Sequence, residues 1–514
     1  MYAQDGLNEI QQWRRRATSP QHQLDWRWVE RFRELVTYDS YWWLTWAGPF
    51  TEEEQHTWDH LSALPLDETI KTQLGQLMKV SRERELQAAL LEQREPRLHY
   101  PAIAIEDVRR RIQGLLQLDA EIRQQEPNAI VRRLYHDTIE EELDYMRLIE
   151  ATYERNSEHF WECNLRLNPV PTPEEMQYAL ICVQHMLRQG LQHPQTKQAS
   201  ERLIHVLREH CGLSLDLSTV EEEEETIQAD PPSRSDASQS ISIQAAKRFF
   251  ETVLRDAGFV GWQVIIDQNA SNARVEQGSR CVFLENRPLT VARIKHLLRH
   301  ELAGHVARCV AGEHSLLGLL GIHSKGSLET EEGLASYYDI KEGKKQPEKM
   351  LWSGTLATGF AAGVISPPQT FQALYTILEA LLFLRRLLRH LDPDEATTQQ
   401  KARQLALTQC LRTFRGVPDL THAGICYTKD AHYLRGLKKV EEALRKDEQA
   451  LDRLAVGVVA IDRLPDLQEL GIMSVPQPLR ALADDPQLDT YILSFEQTEQ
   501  GIEAKESPKQ NDQG

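Results

Sequence analysis

Apolar residues recur at helical spacing through most of the chain, and that periodicity is the primary sign of amphipathic helices. The clearest runs are Ile105 to Gln125, Ile130 to Tyr153, Ile243 to Ala257, Gln369 to Leu391, Glu395 to Thr413 and Val440 to Ile461. In the fourth, Leu374, Ile377, Leu378, Leu381, Leu382 and Leu384 mark a core face, and Asp392-Pro393 stops it. Residues 76–213 read as helical throughout, entered at Tyr100-Pro101, with charged faces turned to solvent. Only Trp262 to Asp267 and Arg280 to Leu284 have the β-branched and aromatic density of strands. Pro288 and Thr290 then open a helix, with Thr290 as N-cap. The expected class is α+β, predominantly helical, with a small sheet beside the helix that carries His300.

Composition divides the chain further. Residues 1–75 hold seven of the ten tryptophans (Trp13, Trp26, Trp28, Trp42, Trp43, Trp46 and Trp58). Aromatic surface on that scale demands burial, so this segment reads as a helical extension packed on the main body. A partner-binding surface or a dimer contact is the other reading. Residues 76–213 form the helical part of the main domain. Residues 214–240 contain five consecutive glutamates, Pro231-Pro232 and a Ser-rich run, and read as a disordered loop. The core domain is then 241–496, and the polar tail 497–514 reads as disordered.

A net charge of −18 over 514 residues argues against nucleic-acid binding and against adhesion to anionic membrane, both of which want a basic footprint. The longest uncharged run, Met350 to Gln369, contains Gly, Ser, Thr and two prolines. It is too broken to span a membrane and reads as a buried core helix. The seven cysteines form no C-x-x-C pair and read as reduced thiols of a cytoplasmic protein. Met1 to Arg16 shows no apolar signal core.

The chemistry concentrates in Leu297-Leu298-Arg299-His300-Glu301-Leu302-Ala303-Gly304-His305-Val306. Two imidazoles and a carboxylate in an apolar helix suit a zinc ion, with the Glu activating a water that the ion holds. The zincin pattern H-E-x-x-H stacks its histidines at i, i+4, but here the spacing is i, i+5. At about 100° per residue the second ring is swung roughly 140° from the first. A π-bulge would bring the two back to one face, and Gly304 would ease the distortion. The competing reading is an ordinary buried helix with two satisfied histidines. His296 and His300 are themselves i, i+4, but Arg299 stands where a reversed motif needs Glu. His296 therefore reads as packing or as support for the ligands.

Downstream, Thr330-Glu331-Glu332-Gly333-Leu334-Ala335 and a third block follow. The block comprises Arg412-Thr413-Phe414-Arg415-Gly416, Tyr427-Thr428-Lys429-Asp430 and Tyr433-Leu434-Arg435-Gly436-Leu437. H-E-x-x-x-H, then T-E-E-G-L-A, then this block in order resembles the microtubule-associated tyrosine carboxypeptidase family, whose bacterial members are known for a Q-E-G-L-A motif. The resemblance runs from about Pro96 to Phe495.

The resemblance implies a zincin-like metallopeptidase core holding one zinc ion on His300, His305 and Glu332, with Glu301 as general base and acid. Glu331 stands where bacterial relatives carry Gln and is the less favoured ligand. By position in the third block, Arg412, Arg415 and Lys429 are candidates to grip a substrate carboxylate; salt bridges to Asp419 or Asp430 are the alternative. Tyr427, Tyr433 and His432 are candidates to stabilise the oxyanion, with Tyr427 also counted among the substrate-binding residues and Tyr433 among the catalytic ones. The implied activity is removal of a C-terminal tyrosine or similar residue from a peptide or protein tail. Two other readings stay open: a zinc hydrolase of another amide bond, and a regulatory protein that keeps the metal site for structure.

Overall fold

Most of the apolar runs become helices, and among the described residues their buried faces gather into two large hydrophobic cores and a small cluster about Trp58. The architecture is that of a computed structural model, which describes residues 22–36, 50–64, 68–97, 100, 105–215, 217, 239–268, 273–343, 351–472, 478–483 and 485–506. The class is predominantly helical α+β with two small sheets. No helix among the described residues is long and apolar enough to cross a membrane.

The larger core is assembled from helices Ile105–Gln125, Ala129–Tyr153, Pro173–Gln192, Pro194–Cys211, Phe371–Leu388, Glu395–Thr413 and His432–Lys446. The smaller core joins helix Ile243–Asp256 to a three-stranded sheet, to the helix carrying His300, and to Leu488 and Ile492 of a C-terminal helix. In the sheet, Cys281–Glu285 is buried along its whole length. It pairs in parallel with Gln263–Asp267 and antiparallel with Arg274–Glu276. A ladder of two residues, Ser240–Ile241 against Leu289–Thr290, adjoins the His300 helix. That ladder and the strand Arg274–Glu276 are too short to leave a periodic signal. All seven cysteines are free and buried.

The two cores meet where the His300 helix faces helix Ser327–Gly343. Leu297, Leu298, Leu302 and Val306 belong to the smaller core, whereas Leu334 belongs to the larger. Helix Ser327–Gly343 is held in turn by His432–Lys446 through glycine on glycine. A Cβ on Gly333 would collide with the backbone of Gly436, and a Cβ on Gly436 with the carbonyl oxygen of Glu329. The glycines of E-G-L-A and L-R-G-L are thus partners in one backbone-to-backbone crossing.

Several expectations give way. The run expected as one helix from Val440 to Ile461 is instead His432–Lys446 followed by the short helix Ala450–Leu454. Asp447 turns extended, and its carboxylate accepts from the Gln449 amide at 3.1 Å, a local bond that competes with the helix. Within Met350 to Gln369 only Ser353–Ala362 is helical, because Gly363 closes it at φ +78°. Residues 76–213 are not helical throughout: one helix ends at Leu91, and the next begins at Ile105. The tail expected to be disordered from 497 is helical to Glu506, as a continuation of the helix seated on Phe249 through Tyr491 and Phe495.

Of the tryptophan-rich segment, Trp28 is buried and donates its indole N–H to Glu126 at 2.7 Å. Trp58 stacks on Phe50, whereas Trp26 is exposed. Trp13, Trp42, Trp43 and Trp46 lie outside the described residues, as does nearly all of the acidic loop.

Gly436→Ala should cost about 1–3 kcal/mol or more by forcing two helix backbones apart. Gly75→Ala, in a helix where an added Cβ meets nothing, should instead stabilise by about 0.5–1 kcal/mol. Urea unfolding midpoints read both; a Gly436→Ala protein as stable as the parent would contradict the close crossing.

Candidate metal centre

The His300 helix begins as expected, with Thr290 Oγ1 accepting from the Arg293 amide at 3.1 Å. It is α-helical over Val291–Leu297, π-helical over Leu298–Val306 and α-helical again over Ala307–Glu313. A π-helix bonds i to i+5, which is the spacing of the two histidines. Their rings lie 5.4 Å apart between centroids, at 63°. One donor atom each from His300, Glu301 and His305 falls within 4.8 Å of the others. Two imidazoles and a buried carboxylate at that separation are a donor set that suits a divalent ion. Gly304 contributes differently from expectation. It is not among the residues at positive φ; instead, a Cβ there would press to 3.3 Å from the carbonyl oxygen of Arg299, five residues back. His296 lies 5.5 Å from His300, ring to ring.

The opposing helix, Ser327–Gly343, presents two adjacent glutamates with different partners. Glu331 accepts from His305 Nδ1 at 2.6 Å and pairs with Arg308 through its other oxygen. Arg308 is buried, and it also donates to the carbonyls of Leu454 at 3.0 Å and Val459 at 3.1 Å. Burial lowers its pKa to about 10, which still leaves it charged at neutral pH. Glu332 lies outside the 4.8 Å group formed by His300, Glu301 and His305. Its ion-pair partner is Lys429, at 3.9 Å.

The third block supplies the rest of the surroundings. Arg412 pairs with the buried carboxylate of Asp430 at 2.6 Å, and Gln409 donates to the second oxygen at 2.8 Å. Burial works against both charges, yet the pairing prevails, so Asp430 is held below its ordinary value and Arg412 above. Arg412 also reaches the Tyr433 hydroxyl at 3.5 Å. Tyr433 is pushed up to about 12, by burial first and then by the charge of Glu332, so it stays a protonated donor. Lys429 and Tyr433 thus gather about Glu332. Arg415 lies instead within electrostatic reach of Arg82 and Tyr100. Tyr427 is buried, with its amide bound to the Thr413 carbonyl at 2.7 Å. His432 faces Glu329 at 3.3 Å and Asn168 at 3.0 Å, inside a buried polar network.

Arg308 was not singled out from the sequence. Its signal was an unexplained arginine in an apolar stretch, three residues after His305. Residues 395–499 match the profile of the family described as microtubule-associated tyrosine carboxypeptidase. The matched segment contains Arg412, Lys429 and Tyr433; the helices carrying His300 and Glu332 precede it. No curated protein matches the chain significantly.

Glu329 lies beneath this site, bound by His432 and by Lys439 at 2.5 Å. Burial alone would raise its carboxyl, but these partners bring it from 4.5 down to about 2. A depressed carboxyl adds stability above its unfolded value and loses it as pH falls towards the folded one. Unfolding free energy should therefore decline between pH 4.5 and 2, and Glu329→Gln should flatten that decline in denaturant titrations. Parallel pH profiles would refute the pairing.

Proposed function

We propose that this chain, similar over residues 395–499 to the microtubule-associated tyrosine carboxypeptidases, is a zinc-dependent carboxypeptidase acting on the C-terminal tail of a peptide or protein. The observation that carries the reading is the gathering of His300, Glu301 and His305 by π-helical register. His300 and His305 would hold the ion with Glu332 as third ligand, which requires the Glu332 carboxylate to leave Lys429 and turn to the pair. When bound, the ion would supply a Lewis acid that readies a water and polarises the scissile carbonyl.

The remaining work falls to side chains. Glu301, buried beside both histidines, takes the proton of the attacking water on its carboxylate and returns it to the leaving amine. Tyr433, kept protonated, donates to the oxyanion. Lys429, the cation beside Glu332, is the candidate to meet a substrate carboxylate. Arg412 is committed to Asp430 and does not take this role; it supports Tyr433 instead. A tyrosine leaving group rests on the family likeness.

Glu301→Gln should retain zinc yet lower kcat on a peptide ending in free tyrosine by about 10²–10⁴-fold. Lys429→Met should act mainly on KM. The same peptide with an amidated C-terminus should resist cleavage. Rapid cleavage of the amidated peptide would replace the exopeptidase reading with an endopeptidase or amidase, and full activity of Glu301→Gln would remove Glu301 from the chemistry.

A further inference from the structure

We propose that Glu331 is the positioning residue of this site: it fixes the tautomer and orientation of His305 and is itself oriented by Arg308. This rests on the metal-site reading above. An ionised carboxylate only accepts hydrogen bonds, so the 2.6 Å contact with Nδ1 places the ring proton there. In the neutral ring this leaves Nε2 as the bare nitrogen, the one able to bind a metal. A carboxylate behind a ligating imidazole raises its basicity and locks its plane.

What holds Glu331 is unusual. Its second oxygen meets Arg308, whose guanidinium is buried and carries two further bonds to the carbonyls of Leu454 and Val459. The Leu454 carbonyl is available because the chain leaves its helix there and the last carbonyls of a helix have no partner within it; Val459 lies in the irregular stretch that follows. The exit from helix at Leu454, within a run whose pattern reads as helical, thus has a function. It delivers two backbone acceptors that clamp Arg308, and through Arg308 and Glu331 they set a histidine contributed by the other core. With its oxygens divided between His305 and Arg308, Glu331 is occupied, which leaves the neighbouring Glu332 as the carboxylate able to ligate.

The test uses the full-length protein with ¹⁵N-labelled histidine, first stripped of metal. His305 should show the Nδ1–H tautomer in the parent and in Glu331→Gln, whose amide oxygen still accepts, and should lose it in Glu331→Leu. Zinc affinity measured by chelator competition should fall about 10- to 100-fold in Glu331→Leu and less in Glu331→Gln. Because Glu331→Leu strands a buried arginine, the pair Glu331→Leu/Arg308→Met supplies a second variant in which both charges are replaced; it should fold and show the same loss of affinity. Unchanged tautomer and affinity in a folded Glu331→Leu or double variant would overturn the proposal. So would complete loss of zinc in Glu331→Gln, which would make Glu331 a ligand. If the parent binds no zinc but His305 keeps its Nδ1 proton only while Glu331 is present, the positioning contact stands and the carboxypeptidase reading falls.

Discussion

Everything at this site depends on the register of one helix. Residues five apart point in different directions on an α-helix and in nearly the same direction where the bonding runs i to i+5. The stretch Leu298–Val306 adopts that bonding, and His300 and His305 meet as a result. A π segment is intrinsically less favourable than the α-helix on either side of it, so the surroundings must hold it. They do so from two sides. Leu298, Leu302 and Val306 are buried in the smaller core, and His305 is tied to Glu331 across the seam.

That seam explains why the site needs two cores. The histidines ride on a helix packed against the small sheet and helix Ile243–Asp256, whereas the glutamates ride on a helix packed into the larger helical body. A buried arginine spans the two sides, while direct backbone contact at Gly333 and Gly436 seats the glutamate helix on His432–Lys446. A fully buried charge is tolerated only when it is paired and its remaining donors are satisfied. Arg308 meets both conditions, through Glu331 and two carbonyls. The close helix crossing and the ion pair thus hold the glutamate helix from two sides.

Much of this was legible in the sequence. The helices Ile105–Gln125 and Glu395–Thr413 appear with the limits their periodicity suggests, and the N-cap at Thr290 follows from its residue type. The π segment was readable because the i, i+5 spacing of two histidines is chemically purposeless on an α-helix. What escaped were features decided by tertiary contact. Ser240–Ile241 becomes a strand only because Leu289–Thr290 lies beside it. That Glu331 and not Glu332 reaches His305 is decided by packing, and two adjacent identical residues carry no sign of it. Arg415 looked equivalent to Arg412, yet only Arg412 faces Asp430; three residues along a helix that ends at Thr413 place the second arginine elsewhere. Arg308 was hidden because its acceptors come from a segment whose pattern still read as helix.

The most direct test of the central claim is the metal content of the purified chain by elemental mass spectrometry, with His305→Ala measured beside it. The account predicts one zinc per chain in the parent and none retained in the folded variant, since the π register serves to bring His305 to the same ion as His300. Parent protein that is folded yet metal-free after exposure to zinc, or a His305→Ala protein that keeps its zinc, would contradict it.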